Sequence, residues 1–104
     1  FNVPLPAGTG SREYFNAFDR VLDKLIKFQP EFLLLSMGFD AEERDPLANF
    51  KLLPRDFYEI TKRAITATNK FTKGRVVSIL EGGYDLNALA DCSNEHVNAL
   101  LEFN

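Results

Sequence analysis

Only one cysteine and one histidine occur among the 104 residues, and tryptophan is missing altogether. The lone cysteine, Cys92, excludes a disulfide within the chain and favours a reducing, intracellular setting. A catalytic zinc normally takes three protein ligands, and no cluster of Cys and His with zinc spacing exists here. We therefore do not expect this chain alone to complete such a zinc site.

Long apolar runs and an excess of basic charge are lacking too. Apolar runs such as residues 32–35 are far shorter than the roughly 20 residues that span a bilayer, and no secretion signal is visible. The 12 Lys and Arg residues stand against 15 Asp and Glu, which gives a net charge of −3. Without a basic run or stripe, the electrostatic footprint of a nucleic-acid-binding protein is missing. Neither nucleic acid nor a membrane is an expected partner.

Large apolar side chains, in contrast, are plentiful. Leu, Ile, Val and Phe make up 33 of 104 residues, well above the roughly 20% below which chains stay disordered. The length fits a single domain, and nothing repeats at a fixed period.

The spacing of the apolar residues predicts an α/β fold. Side chains recurring at three- and four-residue intervals predict helices near residues 11–28, 55–72 and 86–102. Ser11 is the expected N-cap of the first helix, and Pro54 and Gly74 suit the two ends of the second. Short apolar runs predict strands that are buried on both faces at residues 32–37 and 76–80, after a weaker strand at 2–5. This alternation is typical of parallel strands joined by crossover helices.

Two connections after the buried strands have unusual content. In open α/β sheets, ligands bind beyond the carboxyl ends of the strands. The first connection begins Gly-Phe-Asp at residue 38 and lasts roughly 16 residues, long against the usual two to six. The second, residues 81–85, reads Glu-Gly-Gly-Tyr-Asp. These loops are where we expect a functional site.

The residues that stand out in these loops each have a functional and a structural interpretation. Asp40 is placed to reach a metal or a phosphate-bearing ligand, or else to cap a turn or solvate the loop. Tyr84 suits hydrogen bonding to a developing oxyanion, or simple packing. Gly82 and Gly83 let the backbone pass close to another group, although most Gly-Gly pairs are turns.

Other reactive residue types are expected to be structural. His96 lies about ten residues into the third predicted helix, or roughly 15 Å from the strand ends, so we expect a surface or partly buried residue remote from Asp40. Cys92 on the same helix is expected to pack rather than react. The acidic residues Glu42, Glu43 and Asp45 are expected to form a solvated loop.

At these two loops the sequence resembles a known family. Residues 35–41, Leu-Ser-Met-Gly-Phe-Asp-Ala, followed by Asp-Pro-Leu at 45–47, resemble the motif of zinc-dependent histone deacetylases. The similarity is nearest to class II enzymes and bacterial deacetylase-like relatives, which include acetylpolyamine amidohydrolases. Asn-Val-Pro-Leu-Pro at 2–6 with Gly-Thr-Gly at 8–10, and Glu-Gly-Gly-Tyr at 81–84, match the same family in the same order.

The resemblance implies a fold and a chemistry. Residues 1–104 would be the C-terminal part of one catalytic domain with the arginase/deacetylase fold, a parallel sheet flanked by helices. Asp40 would be a zinc ligand, and Tyr84 would donate to the scissile carbonyl oxygen. Leu47, Gly82 and Gly83 would line the acyl-lysine tunnel. The implied cofactor is Zn²⁺, and the implied reaction is hydrolysis of the acetyl-lysine amide of a histone or another protein.

The resemblance also implies partners and departures. Corepressor-type proteins are possible partners, and the nucleus or cytoplasm is the expected location in a eukaryote. The family's Asp-x-His zinc pair and His-His dyad would lie upstream, so the 104 residues alone are expected to be inactive. Arg44 stands where many relatives have Gly or Asp, and Leu53 stands where relatives often have a Thr cap.

Three alternatives remain open at this point. One is that the chain is a non-catalytic fragment or degenerate paralogue that binds or scaffolds, and another is that it is part of an acetylpolyamine amidohydrolase. A phospho-receiver-like domain ranks below these. Such a domain needs an acidic pair near its first strand and a lysine after a later strand, and residues 2–3 and 76–80 offer neither.

Overall fold

The structure, a computed structural model, describes residues 1–103. Its elements follow in the order α1 (Ser11–Phe28), β1 (Leu33–Met37), α2 (Pro54–Thr72), β2 (Val76–Leu80) and α3 (Leu86–Phe103). The three predicted helices and the two apolar strands are thus confirmed, each within one residue at either end.

The two strands form a parallel sheet. Leu33 lies opposite Val76, and Met37 lies opposite Leu80. The helix α2 lies between the strands in sequence and supplies the crossover that a parallel pair requires. As a result, both strands end at the same edge, where the two connections of interest begin.

A core of buried side chains joins the sheet to the helices. Met37 and Phe39 pack against Phe57 and Ile60 of α2 and Cys92 of α3. The rings of Phe39 and Phe57 meet edge to face, with centroids 5.2 Å apart, a favourable aromatic geometry. Since Phe39 directly precedes Asp40, this core fixes the start of the first loop.

The prediction that both strands are buried on both faces is wrong: no residue of β2 is buried, and in β1 one face is exposed. Leu34 and Ile79 point to that face and are 62% and 52% exposed, whereas Leu33 and Met37 on the opposite face are buried. The helices α2 and α3 pack on the buried face, and nothing else among residues 1–103 covers the exposed one. The apolar pattern of the strands therefore exceeds what this chain itself buries.

The expected strand at residues 2–5 does not form. Residues 1–6 have no regular structure, and the nearest pairing is a single parallel bridge between Gly10 and Lys51. Pro4 and Pro6 have no backbone N–H to donate to a ladder, which disfavours a strand without a well-placed neighbour. No helix within residues 1–103 combines the length and apolarity needed to cross a membrane.

Asp56 caps the start of α2 and also holds the hydroxyl of Ser11 at the start of α1. Gly10, not Ser11, is the N-cap of α1 and makes no side-chain cap, so that expectation is wrong. The Ser11 hydroxyl instead donates to Asp56 Oδ2 at 2.5 Å, and Leu53 N–H donates to the same oxygen at 2.8 Å. The carboxylate at the third position of α2 thereby satisfies the N-cap backbone that Leu53 leaves open, half of a capping box.

Candidate active site at the carboxyl ends of the strands

The two loops remain paired beyond the end of the sheet. Glu81 N–H donates to the Met37 carbonyl at 3.0 Å, and Phe39 N–H donates to the Gly82 carbonyl at 2.9 Å. Residues 38–40 and 81–83 therefore run side by side. The two strand ends thereby bring Asp40 next to the Gly82–Gly83 pair.

The Asp40 carboxylate lies against glycines from both loops. A Cβ atom at Gly82 would stand 3.1 Å from Asp40 Oδ2, and one at Gly38 would stand 3.1 Å from Oδ1. Such distances are tighter than ordinary van der Waals contact. A side chain at residue 38 or 82 would therefore displace the carboxylate by a few tenths of an ångström.

Asp40 makes no hydrogen bond or ion pair through its side chain to any residue among 1–103, and its side chain is exposed. Two neighbouring aspartates behave differently. Asp45 Oδ1 accepts from the N–H of Leu47 and Ala48, at 2.8 and 3.0 Å, and Asp85 Oδ1 accepts from Ala88 N–H at 2.9 Å. Asp45 and Asp85 cap a turn and a helix start, whereas Asp40 keeps its oxygens available.

Gly83 is packed against the backbone that carries Asp40. Its φ is +95°, and a Cβ at this position would lie 2.6 Å from the carbonyl carbon of Phe39 and 2.7 Å from the amide nitrogen of Asp40. Real Cβ atoms do not approach so closely, and a positive φ favours glycine. The close approach predicted for the Gly-Gly pair is thus an approach to the neighbouring loop.

Tyr84 lies on the surface next to this contact. Its side chain is 76% exposed, and its hydroxyl donates to the Glu81 carbonyl at 3.2 Å. It is not a packing residue here. The N-cap Asp85 follows it directly, so Tyr84 is held between a glycine fixed by packing and the first turn of α3.

Leu47 is also on the surface, 82% exposed. Its N–H is tied to Asp45, which fixes the backbone there. An open cleft beside β1 is lined by Asp40 together with Tyr14 and Phe18 of α1, but not by Leu47 or Tyr84. That Asp40, Tyr84, Leu47 and Gly83 open into one cleft stays a prediction.

The expectation of a solvated acidic loop is wrong for two of its three members. Glu42 is 1% exposed and Asp45 is 9% exposed. Arg44 pairs with Glu42 through Nε at 2.7 Å and with Asp91 of α3 through Nη2 at 3.1 Å. Sequence reasoning missed this pair, for which the only signal was a Glu and an Arg two positions apart. Charges are buried only when they are paired.

His96 is a core residue, not a surface or partly buried one. It is 5% exposed; Nδ1 lies 2.6 Å from the Thr61 hydroxyl and Nε2 lies 2.8 Å from the Ser78 hydroxyl. Because Thr61 donates its own proton to the Phe57 carbonyl, the network assigns the ring proton to Nδ1. Burial lowers the pKa of His96. This imidazole links α3 to α2 and β2.

Cys92 packs in the core as expected. Its side chain is fully buried, and burial raises the pKa of the thiol to about 12. A thiol in this state is a poor nucleophile. Both residue types that most often carry covalent or acid–base chemistry are therefore structural within the described part of the chain.

Among residues 1–103 no three His, Cys, Asp or Glu side chains come together in a way that would hold a metal ion. Asp40 has the donor chemistry for one zinc ligand: an exposed carboxylate without a partner in this part of the chain, at a rigid joint between two strand ends. A zinc ion would need about two further protein ligands. Asp40 thus fits the role of one of the protein ligands that a zinc site needs.

Residues 1–100 match the family model of the histone deacetylase domain. The chain belongs to the histone deacetylase family. Family membership excludes the phospho-receiver interpretation. It agrees with the order of the four motifs along the sequence.

Individual relatives agree with this assignment. The chain is 44% identical over 101 residues to type-2 histone deacetylase 1 of Dictyostelium discoideum, covering 97% of the chain and 7% of that protein. It is 42% identical over 95 residues to human histone deacetylase 9, covering 88% of the chain and 9% of that protein. These relatives are of the class II type.

The fold agrees as well. The structure of the histone deacetylase Clr3 matches with a TM-score of 0.85 at 30% identity, covering 95% of this chain and 16% of that one. The two parallel strands and their flanking helices thus have the arrangement of a histone deacetylase domain. The chain spans less than a tenth of the curated relatives compared above.

Proposed function

We propose that the intact domain hydrolyses the acetyl-lysine amide of histones or other proteins, with zinc as cofactor. In this proposal residues 1–104 are the C-terminal part of the catalytic domain. They supply one zinc ligand, the tyrosine that stabilises the oxyanion, and part of the substrate tunnel. Membership of the histone deacetylase family supports the proposal.

One observation carries it. The Asp40 carboxylate has no partner among residues 1–103 and lies in contact with Gly82, two residues before Tyr84. A carboxylate at the end of a buried strand that is neither capping nor paired is available for a cation. In this proposal Tyr84, two residues after Gly82, would supply the hydroxyl donor beside that cation.

Asp40 would hold the zinc ion through its carboxylate oxygens. The remaining ligands and the general base would come from parts of the domain outside these residues. Zinc, when bound, polarises the scissile carbonyl and lowers the pKa of a bound water. The contribution of this chain would be to hold one negatively charged ligand in a fixed position. A poorly positioned ligand weakens zinc binding and distorts the coordination geometry.

Tyr84 would donate its hydroxyl proton in a hydrogen bond to the substrate oxygen. Its present acceptor, the Glu81 carbonyl, is on the surface, so rotation of an exposed side chain is enough to redirect the donor. The hydrogen bond strengthens as negative charge develops on the oxygen. Leu47, Gly82 and Gly83 would line the path of the acyl-lysine side chain.

The proposed substrate partner is an acetylated lysine, and corepressor-type proteins are proposed as further partners. The proposal involves no direct contact with nucleic acid or membrane. In a eukaryote it places the protein in the nucleus or the cytoplasm. An acetylated polyamine is the alternative small substrate.

The test uses the full-length protein with Asp40→Asn, and Glu43→Gln as the matched control on the same exposed loop. We expect Asp40→Asn to lose zinc and activity on an acetyl-lysine peptide together, and Glu43→Gln to keep both. Activity on N-acetylputrescine but not on the peptide would favour the polyamine alternative. A zinc-loaded wild type without either activity would favour the scaffold alternative, and zinc retained by Asp40→Asn would refute the assigned role.

A further inference from the structure

Three charged side chains connect the loop that carries Asp40 to the helix α3. Glu42 is buried in that loop and pairs with Arg44, which also reaches Asp91 on α3. We propose that Arg44 is a positioning residue, which fixes the Asp40 carboxylate for metal by tying its loop to α3. This inference rests on the proposed function, since it concerns the same metal ligand.

The geometry of the contact is specific. Glu42 Oε2 accepts from the backbone N–H of Arg44 at 2.6 Å, and Oε1 accepts from its Nε at 2.7 Å. Both oxygens are thus used by one residue. Arg44 Nη2 then donates to Asp91 Oδ2 at 3.1 Å. The planar guanidinium has donors on two sides, so it spans two carboxylates from different elements.

The turn between Phe39 and Glu42 transmits this constraint to Asp40. Glu42 N–H donates to the Phe39 carbonyl at 3.3 Å, which closes a turn with Asp40 inside it, and Leu52 N–H donates to the Ala41 carbonyl at 3.1 Å. The side chain of Phe39 is buried, and its backbone N–H donates to the Gly82 carbonyl. The turn is held at both ends: Phe39 is anchored on Gly82, and the Glu42 end is anchored by the backbone of Leu52 and by the pair with Arg44.

Removing Arg44 would leave the Glu42 carboxylate buried without a cation. In the described part of the chain, Arg44 is the only ion-pair partner of Glu42. An unpaired buried charge is strongly unfavourable, so we expect the carboxylate to turn toward water. That movement would shift the turn and, with it, the neighbouring carboxylate of Asp40.

Arg63 offers a closely matched control. It also bridges two carboxylates, Glu59 at 2.9 Å and Asp19 of α1 at 3.1 Å, and its exposure of 35% is close to the 37% of Arg44. It joins α2 to α1 and has no contact with the Asp40 loop in the structure. Comparing the two arginines separates positioning from general loss of an ion pair.

In the full-length protein we expect Arg44→Ala to weaken zinc binding about tenfold, measured by competition with a chelator, as outer partners of metal ligands commonly do. Arg63→Ala should leave the zinc dissociation constant within about twofold of wild type. In the metal-free protein, amide hydrogen exchange of residues 39–47 should accelerate in Arg44→Ala only. Equal zinc affinity in the two variants would overturn the inference.

The double variant Glu42→Gln with Arg44→Ala removes the buried charge together with its partner. The link to α3 is still broken in this variant, so we expect zinc affinity to stay below that of wild type, and full recovery would overturn the tie to α3. If Arg44→Ala does not fold, Asp91→Ala decides, because Asp91 is exposed and alanine offers no acceptor to Arg44; an unchanged zinc affinity there overturns the tie to α3.

The Asp40→Asn variant, measured in the same assay, distinguishes failure of the positioning role of Arg44 from failure of the proposed function. If Asp40→Asn loses zinc while Arg44→Ala behaves like Arg63→Ala, only the positioning role fails. If Asp40→Asn keeps zinc, the proposed function fails and the positioning role falls with it.

Discussion

A Cβ atom on Gly83 would lie 2.7 Å from the amide nitrogen of Asp40. The proposed metal ligand and the residue that precedes the proposed oxyanion tyrosine are therefore in direct backbone contact. Any side chain at residue 83 must move one loop relative to the other. Loop packing therefore fixes the backbone positions from which the two proposed catalytic side chains extend.

Gly83→Ala should be more harmful than Gly8→Ala. Both glycines have positive φ, +95° and +86°, but a Cβ on Gly8 meets nothing within 4 Å. Alanine in this region costs about 1–2 kcal/mol at either site, and overpacking against backbone adds about 1–3 kcal/mol at residue 83. Thermal unfolding of the full-length variants tests the order, and an equal shift in Tm would contradict the contact.

Tyr84→Phe should separate metal binding from catalysis. The Tyr84 hydroxyl makes no contact with Asp40 in the described structure, and its one hydrogen bond is to the Glu81 carbonyl. Its removal should leave zinc content unchanged and lower kcat by about 10²- to 10³-fold, the usual cost of one oxyanion donor. Tyr58→Phe, at a partly exposed tyrosine of α2, serves as the control. Full activity in Tyr84→Phe would contradict the assigned role.

His96 should make the stability of the domain sensitive to acid. Burial lowers its pKa in the folded state from 6.5, so as the pH falls through 6.5 the unfolded chain takes up a proton that the native state does not. Stability is full above 6.5 and decreases below it until the folded pKa is reached. His96→Gln should remove this component, visible as a smaller fall in Tm between pH 7.5 and pH 5. An identical fall in both proteins would contradict it.

The neighbouring placement of Asp40, Gly82 and Gly83 could be predicted because parallel strands end at one edge. Helix bounds followed from apolar spacing for a similar reason, as each depends on a short stretch of sequence. The burial of Glu42 could not be predicted in this way, since it depends on Arg44 and on Asp91, which comes 47 residues after Arg44. The burial of His96 could not be predicted either, because its hydrogen-bond partners Thr61 and Ser78 come from two other elements.

The strands show the converse case. Leu34 and Ile79 have the composition of a buried sheet face but are exposed within residues 1–103. The apolar pattern of a strand indicates that its faces are suited to burial. It does not indicate whether residues 1–103 provide the side chains that would cover those faces.

Residues 1–104 expressed alone should bind zinc weakly and have no deacetylase activity. They contain one candidate ligand, Asp40, where about three are needed, and the open sheet face should favour self-association. We expect zinc bound to the isolated chain to be removed by a chelator that leaves the full-length protein loaded. Asp40→Asn in the isolated chain should change little, because a single ligand holds zinc poorly in either case. Tight zinc binding by the isolated chain, lost in Asp40→Asn, would show that this stretch completes a metal site by itself and would contradict the proposal that the other ligands lie elsewhere.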